Sequence, residues 1–495
     1  MTDPVGRPMM AFSDRAAAIR YPTRPHHIVA TLLFVASLAL FWPGYAEYDT
    51  LRQYEQAVAG RFDDWHPPVM ARLWQALLPL GHGTGPLLTL QLAGYWLGLA
   101  LIADALAVRG RPRAGWAILA VGLLPPLLGW QGVVLKDAQL VGAGLAATGL
   151  IARYRLRDLS VPPAVATVAG VLLGYALLVR ANAVFALAPL IVALLPLRQR
   201  MTQIGAMLGI VGGVLALSAP INHRLLGATA TDVTSTQPRY DLAGIAARTA
   251  GVSIADLPPA TGVRLRAARC VTPYFWDPLG DSPACTAAIT ALDNRSAGTL
   301  YRQLATEALR HPVAYLAHRL AHLNMTWRWL VPARLPGAEP PTGSEPNNEG
   351  IATPGRAAAW WQRWAGVLIR TPLGWPFAWI VAALLLLGVA YRTPESVVRR
   401  LALGLLSSAL ALEASFAAIS IATDLRYHLW PMLATALAAV LLVDRLPSRR
   451  TTILVTGIAL VVGAPALLAR ITFADPPPDY DRLLHWRPPV ALLPR

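Results

Sequence analysis

The sequence predicts an all-α polytopic membrane protein with about eleven transmembrane helices. Of its 495 residues, 55% are hydrophobic and 14% are charged, whereas soluble domains carry about 25% charged residues. The mean hydropathy is +0.45, and apolar runs near the ~20 residues that cross a bilayer recur along the chain. The candidate spans are 28–42, 86–108, 114–133, 138–152, 162–180, 183–197, 202–220, 372–391, 401–421, 428–444 and 452–470.

The apolar segment PPVMARLWQALLPL, at 67–80, is too short to cross a membrane and carries Arg72 in its middle. We therefore expect it to form an outer helix that lies along the membrane interface. With this segment excluded from the spans, alternate loops fall on alternate sides, and one side collects arginines, which marks it as cytoplasmic. These arginines are Arg7, Arg15, Arg20, Arg24, Arg109, Arg111, Arg113, Arg153, Arg155, Arg157, Arg198, Arg200, Arg392, Arg399, Arg400, Arg445, Arg449 and Arg450.

The arginine distribution also sets the predicted location and the domain boundaries. The protein is predicted to be a multi-pass protein of the cell inner (plasma) membrane, with an uncleaved N-terminus in the cytoplasm. The net charge of +16 follows this sidedness, and no nucleic-acid partner is expected. The predicted parts are an N-terminal transmembrane module with a first outer loop at 43–85, a periplasmic domain, a set of C-terminal transmembrane helices and an outer tail. They cover 1–220, 221–371, 372–470 and 471–495.

The predicted periplasmic domain is mainly helical. Residues 238–249 and 299–327 have helical patterns, and the second is interrupted or kinked at Pro312 because proline cannot continue a helix. Residues 357–369 contain three tryptophans and suit an interfacial helix. The Pro/Gly/Asn-rich stretch 337–350 is expected to be a mobile loop.

The two cysteines of the chain, Cys270 and Cys285, both fall in this non-cytoplasmic segment. A disulfide is predicted between them, with two free thiols as the alternative. His318 and His322 have the i, i+4 spacing of a helical metal pair. No matching acidic motif accompanies them, so no metal ligands are predicted there.

Polar residues collect in the short outer loops, which are separate in sequence but share one predicted face of the membrane. Lys136 is the single lysine among 43 Lys+Arg. Positively charged residues are usually concentrated in cytoplasmic loops, so cations in outer loops need a specific reason. Acids accompanied by several cations are what a site for an anionic, phosphorylated substrate needs. The residues of these loops are Glu47, Asp49, Asp63, Asp64, His66, Lys136, Asp137, Arg180, Asn182, Asp424, Arg426 and His428.

The first outer loop, PGYAEYDTLRQYEQAVAGRFDDWHPPVMARLW at 43–74, resembles that of the GT-C glycosyltransferases. These are polytopic enzymes that use polyprenyl- or dolichyl-phosphate sugars, such as protein mannosyltransferases and lipid A aminoarabinose transferases. In that group an acidic residue follows the first span, and a short interfacial helix begins at a Pro-rich signal, here His66-Pro67-Pro68. The motifs LKD at 135–137, RAN at 180–182 and DLRYHLWP at 424–431 also resemble outer-loop motifs of bacterial members.

The resemblance implies that a hexosyl or pentosyl group passes, with inversion, from a polyprenyl-phosphate donor to a glycan, lipid or protein acceptor on the outer side. A carboxylate would take the proton of the acceptor hydroxyl, and cations would stabilise the departing phosphate. Many members carry an adjacent acidic pair, whereas this chain has Glu47-Tyr48-Asp49. Asp49 is favoured as the base and Glu47 is the alternative. The predicted substrate-binding residues are Lys136, Asp137, Arg180, Asn182, Arg426, His428, His66 and Gln53.

Two other functions stay open. A transporter or flippase for lipid-linked sugars is supported by Glu413, an acid in the middle of a predicted span. A polymerase or ligase of lipid-linked glycans would share the outer-face chemistry. A transferase predicts an outward cavity above Asp49, whereas a transporter predicts a midplane site near Glu413. No cofactor is predicted, and use of a divalent metal is left open.

Overall fold

The computed structural model describes residues 25–197, 199–249, 251–445 and 449–489. The described residues are helical apart from their loops and one two-stranded parallel sheet, in which Phe62–Asp63 (β1) pairs with Ala228–Thr229 (β2). The predicted all-α class is therefore confirmed. Of the arginines used for the topology, Arg7, Arg15, Arg20, Arg24 and Arg198 lie outside the described residues, as do the side chains of Arg445, Arg449 and Arg450.

The N-terminal module contains ten α-helices in the described residues. They are α1 (Pro25–Phe41), α2 (Tyr48–Ala59), α3 (Val69–Leu77), α4 (Gly85–Val108), α5 (Pro112–Gly122), α6 (Pro125–Gln131), α7 (Lys136–Arg155), α8 (Pro163–Leu178), α9 (Ala183–Leu194) and α10 (Arg200–Pro220).

The predicted span 114–133 is not one straight helix. It consists of α5 and α6, which meet at a bend of 57°. Pro125 and Pro126 open α6, and a proline lacks the N–H that would continue α5 and also forces the residue before it out of helical geometry. The segment 67–80, predicted to lie at the membrane interface, forms α3 followed by a 3₁₀ turn at Leu78–Leu80.

The segment that follows α10, predicted to be the periplasmic domain, forms seven helices among the described residues. They are α11 (Thr236–Arg248), α12 (Pro259–Ala267), α13 (Pro278–Asp281), α14 (Pro283–Ile289), α15 (Ala297–Arg310), α16 (Pro312–Trp327) and α17 (Arg356–Ile369). The predicted break at Pro312 is confirmed, because α15 ends at Arg310 and α16 begins at that proline. The C-terminal part contains α18 (Pro376–Arg392), α19 (Val397–Ile419), α20 (Leu429–Leu442), α21 (Arg449–Thr472) and α22 (Tyr480–Leu484).

The chain is a multi-pass membrane protein by the length and apolar character of its helices. Among the described residues, four helical segments are long and apolar enough to cross a bilayer: Gly85–Val108, Arg200–Leu225, Val397–Ile419 and Leu425–Leu442. The bent pair α5 and α6 makes a fifth if it is one span. Five other predicted spans coincide with helices that do not meet this test, and the span 452–470 lies partly on residues whose side chains are not described. A total of eleven spans therefore stays a prediction.

Close packing of α4 against α7 forms the centre of the N-terminal module. A Cβ atom added at Gly142 would lie 2.7 Å from the carbonyl oxygen of Gln91, and one at Gly149 would lie 2.6 Å from that of Gly98. Any side chain there would force the helices apart, so these small residues allow the backbones to touch. This contact aligns the start of α7 with the loops at the same end of α4.

The loops assigned by arginine content to two membrane faces also separate in the structure. At one end of the bundle, Arg111 pairs with Asp444 at 2.7 Å, and Arg109 pairs with Asp158 at 2.9 Å. The loops that carry Glu47 and the other candidate site residues meet at the opposite end, described below. The contacts support the grouping of the loops, while the cytoplasmic or outer identity of each face stays a prediction.

The segment after α10 has a core of its own, and Cys270 and Cys285 form the predicted disulfide inside it. The C-terminal tail packs on this segment, with the rings of Trp486 and Tyr274 5.9 Å apart. The stretch 337–350 has no helix or strand, as predicted, but it is anchored. Its Glu345 N–H donates to the Ala46 carbonyl at 2.9 Å, so this loop lies against the loop between α1 and α2.

Candidate active site

Backbone pairing places the starts of α2 and α7 side by side. The Tyr45 N–H donates to the Gly132 carbonyl, and the Val134 N–H donates to the Tyr45 carbonyl, both at 3.0 Å. The Thr50 hydroxyl, in the first turn of α2, donates to the Val134 carbonyl at 2.8 Å. Because both chain segments enter helices immediately afterwards, the acids at the start of α2 face Lys136 at the start of α7.

The Asp49 carboxylate is surrounded by basic side chains. Its Oδ2 lies 3.0 Å from Arg426 Nη2 and 3.3 Å from Lys136 Nζ. Its Oδ1 lies 3.6 Å from His66 Nε2. Burial alone would raise the pKa of Asp49, but the charges of Lys136 and Arg426 outweigh it and hold this pKa below its usual range. Asp49 is therefore ionised near neutral pH.

Arg426 lies between the acidic side chains of the cluster and contacts each of them. It comes from the 3₁₀ turn Leu425–His428 that precedes α20. Its guanidinium reaches four carboxylates. They are Glu47 at 2.8 Å, Asp49 at 3.0 Å, Asp424 at 3.2 Å and Asp137 at 3.9 Å. Its planar fork can address several oxygens at once, and its side chain is only 10% exposed. Arg426 thus ties the turn before α20 to the start of α2.

His66 fixes the position of Lys136. The Lys136 ammonium lies 2.9 Å from His66 Nδ1. An ammonium can only donate, so Nδ1 must be the acceptor and the ring proton must sit on Nε2, which faces Asp49. Burial, followed by the Lys136 charge, lowers the pKa of His66 to about 3. His66 is therefore neutral, and it orients the ammonium without adding charge to the site.

A second ion pair lies beside this cluster. Arg180 pairs with Asp137, which is almost fully buried, and Arg180 Nε donates to Asn182 Oδ1 at 2.7 Å. The Arg180 guanidinium lies 4.1 Å from the centre of the Tyr427 ring, and that of Arg426 lies 5.7 Å from it. Such cation–π contacts stabilise two neighbouring positive charges. Asp137, Asn182 and Tyr427 thus hold Arg180 next to Arg426.

Glu47 differs from Asp49 in its environment. It accepts from Arg426 but has no contact with Lys136 among the ion pairs of the described residues. Burial raises the pKa of Glu47 to about 7, and the charges of Asp424 and Asp49 add to this rise while Arg426 opposes it. Glu47 therefore changes charge near neutral pH, whereas Asp49 does not.

Two predicted site residues lie apart from the cluster. His428 is fully buried, and its Nδ1 lies 2.7 Å from Glu413 Oε1, in the helix bundle. Gln53 is also buried, and its amide donates to the Asp49 backbone carbonyl at 3.2 Å, so it supports α2. Asp64 accepts from Thr231 at 2.7 Å and belongs to the β1–β2 junction.

Two residues of the cluster were missing from the predicted site. Asp424 and Tyr427 belong to the DLRYHLWP motif, but sequence alone does not show which of its side chains turn towards the outer loops. No group of three or more His, Cys, Asp and Glu side chains in the described parts of the chain is arranged to hold a metal ion. His318 contacts Asp241 at 3.1 Å, and His322 contacts the Pro273 carbonyl at 2.8 Å.

Comparison with known proteins gives one structural similarity. No family model and no curated protein matches the chain. Among solved structures, the archaeal oligosaccharyltransferase AglB from Archaeoglobus fulgidus, in complex with an inhibitory peptide and a dolichol-phosphate, is similar with 14% sequence identity and a TM-score of 0.34. The match covers 90% of this chain and 55% of that chain. This chain therefore spans about half the length of the AglB chain.

Proposed function

We propose that the protein is a GT-C type membrane glycosyltransferase that moves a sugar from a polyprenyl-phosphate donor to an acceptor on the outer face. The observation that carries the proposal is the convergence of Lys136 and Arg426 on Asp49, at the end of an apolar helix bundle. Two fixed cations next to an ionised carboxylate supply both requirements of the reaction, a phosphate-binding element and a base.

In the proposed reaction, the donor phosphate takes over Lys136 and Arg426 as partners. Both side chains are mostly buried, with 15% and 10% exposure, so an anion there meets fixed charges with little competing water. The sugar–phosphate C–O bond breaks, and the phosphate stays on the lipid. Lys136 and Arg426 stabilise the charge that develops on the leaving oxygen. Arg180, held by Asp137, adds a third cation beside them.

The same exchange makes Asp49 available as the base. When the phosphate binds the two cations, the Asp49 carboxylate loses the charges that hold its pKa down and becomes a stronger proton acceptor. It takes the proton of the acceptor hydroxyl while that oxygen forms the new bond to the sugar carbon. Glu47 remains paired with Arg426. It is the alternative base if Asp49 proves dispensable for transfer.

The test is a transfer assay with the full chain in lipid nanodiscs. A panel of radiolabelled polyprenyl-phosphate sugars is incubated with a mixture of glycans, lipids and peptides, and label is followed from the lipid-soluble donor into product. We expect transfer by the wild type and its loss in Asp49→Asn, which keeps the shape but removes the base. Asp63→Asn is the matched control, because Asp63 lies in the same loop outside the cluster.

Two results would contradict the proposal. Full transfer by Asp49→Asn would remove Asp49 as the base, and Glu47→Gln would then be examined in the same assay. Movement of unaltered donor into the lumen of proteoliposomes, without sugar transfer, would show that the protein is a transporter and not a transferase. In that case, changes at the Glu413–His428 pair should abolish the movement.

A further inference from the structure

A narrow crevice lined by arginines lies at the ends of α18 and α21, outside the candidate active site. It is narrow, and part of it is open to the surroundings. The segment 328–339 covers it from one side, Trp375 closes it at the start of α18, and Arg470 enters it from the last turn of α21. Its four arginines are Arg328, Arg334, Arg370 and Arg470.

In the described part of the chain, two of these arginines donate hydrogen bonds to backbone carbonyls alone. Arg328 is 3% exposed, and it donates to the carbonyls of Leu335 at 3.3 Å, Pro336 at 3.1 Å and Thr423 at 2.9 Å. Arg470 donates to the carbonyls of Arg328 at 2.6 Å, Trp329 at 2.9 Å and Ala466 at 3.0 Å. Neither forms an ion pair with a carboxylate within the described ranges of the chain, and Arg328 Nε has no hydrogen-bond partner there.

The other two arginines do have carboxylate partners. Arg370 pairs with Glu339 at 2.8 Å, and Arg334 lies 4.0 Å from Asp475. The crevice therefore keeps an excess of positive charge around Arg328 and Arg470. Burying a cation without a counter-ion is costly, and burial lowers the pKa of Arg328 to about 10. An anion bound in the crevice would remove this cost.

The surroundings of the crevice point to a lipid as the source of the anion. The Arg470 guanidinium lies 4.0 Å from the centre of the Trp375 ring. Trp375 and Phe377 form an apolar cluster with Ala466, against which Trp327 and Trp329 pack. Tryptophans at helix ends mark the level of the lipid headgroups, and guanidiniums at that level can pair with headgroup phosphates.

We infer that this crevice binds the headgroup phosphate of an anionic bilayer lipid, held by Arg328 and Arg470. The phosphate supplies the carboxylate-like oxygens that these two guanidiniums lack. It would also order the neighbouring chain. Arg328 already holds the Thr423 carbonyl, one residue before Asp424 of the candidate active site. The lipid would thus fasten the segment 328–336 to α21 and support the turn that carries Arg426.

The inference is tested by lipid binding to the purified full chain, independently of any transfer activity. Native mass spectrometry measures the affinity for dioctanoyl phosphatidylglycerol, with dioctanoyl phosphatidylcholine as the zwitterionic comparison. We expect tighter binding of phosphatidylglycerol and a roughly tenfold loss of its affinity in Arg470→Gln, the effect of one lost charge-assisted contact. Arg470→Lys, which keeps the charge without the planar fork, should lose less.

Arg295→Gln is the matched control, because Arg295 pairs with Asp256 at 2.5 Å in the segment after α10 and does not line the crevice. It should bind phosphatidylglycerol as the wild type does. Equal affinity of the wild type, Arg470→Gln and Arg470→Lys for phosphatidylglycerol would overturn the inference. A second result would also overturn it. If inorganic phosphate bound in an Arg470-dependent way and lipid binding did not depend on Arg470, the crevice would be a site for a soluble anion.

Discussion

Replacement of Lys136 by alanine tests the candidate active site most directly. Lys136 Nζ lies 3.3 Å from Asp49 Oδ2 and 2.9 Å from His66 Nδ1. At 3.3 Å and an effective dielectric constant of about 20, one pair of charges interacts by about 5 kcal/mol. A donor phosphate that replaces Asp49 as the partner of Lys136 would meet the same cation at a similar distance. Part of this interaction energy also stabilises the bound donor before the reaction, so only the remainder lowers the activation barrier.

Loss of one fixed donor to a developing anion costs about 10²–10³ in turnover, which is the effect we expect for Lys136→Ala. Lys136→Arg should restore part of the activity, since the charge returns but the fork is bulkier than an ammonium. Added methylamine should partly rescue Lys136→Ala and should leave Lys136→Arg unchanged, because only alanine leaves space for it.

The assay is donor turnover in nanodiscs at saturating donor, with protein amount and thermal stability measured for each variant. Arg61→Ala is the control, because Arg61 is an exposed cation in the same outer loop and should turn over at the wild-type rate. Turnover of Lys136→Ala within about threefold of wild type would refute the reasoning, because a fixed cation at the leaving group accounts for much more than that.

Three further predictions follow from the structure and the predicted topology. Glu47, with a pKa of about 7, loses its negative charge as the pH falls through that value, so lipid-phosphate affinity should rise on acidification. In Glu47→Gln this pH dependence of the affinity should be absent. A binding titration in which the variant's affinity changes with pH as the wild type's does would contradict the prediction. Replacing Cys270 and Cys285 by serine opens a loop of 15 residues and should lower the unfolding free energy by about 3 kcal/mol, measured by urea-dependent proteolysis; an unchanged midpoint would contradict this. Reporter fusions after Arg113 and Arg157 should both report the cytoplasm, and opposite signals would disprove the predicted topology.

Hydrophobic pattern and charge determined much of this protein from sequence alone. Apolar runs predicted the helices, because a chain that leaves water must satisfy its backbone hydrogen bonds within each segment. Proline predicted the break at Pro312, since a proline inside a helix removes a hydrogen bond and its ring clashes with the preceding turn. Alternation of the loops predicted that Asp49, Lys136, Arg180 and Arg426 lie at one end of the bundle, because each crossing reverses the side on which the next loop lies.

Tertiary structure alone decided which side chains of those loops meet. Arg426 and His428 are two residues apart in one motif, yet the first turns to Asp49 and the second to Glu413. They share a 3₁₀ turn, where each residue advances by a third of a circle, so side chains two positions apart point in different directions. Composition carries no information on this rotation. Only the packing of α20 against its neighbours sets the rotation of this turn. The same packing makes Arg426 the cation that joins Glu47, Asp49 and Asp424.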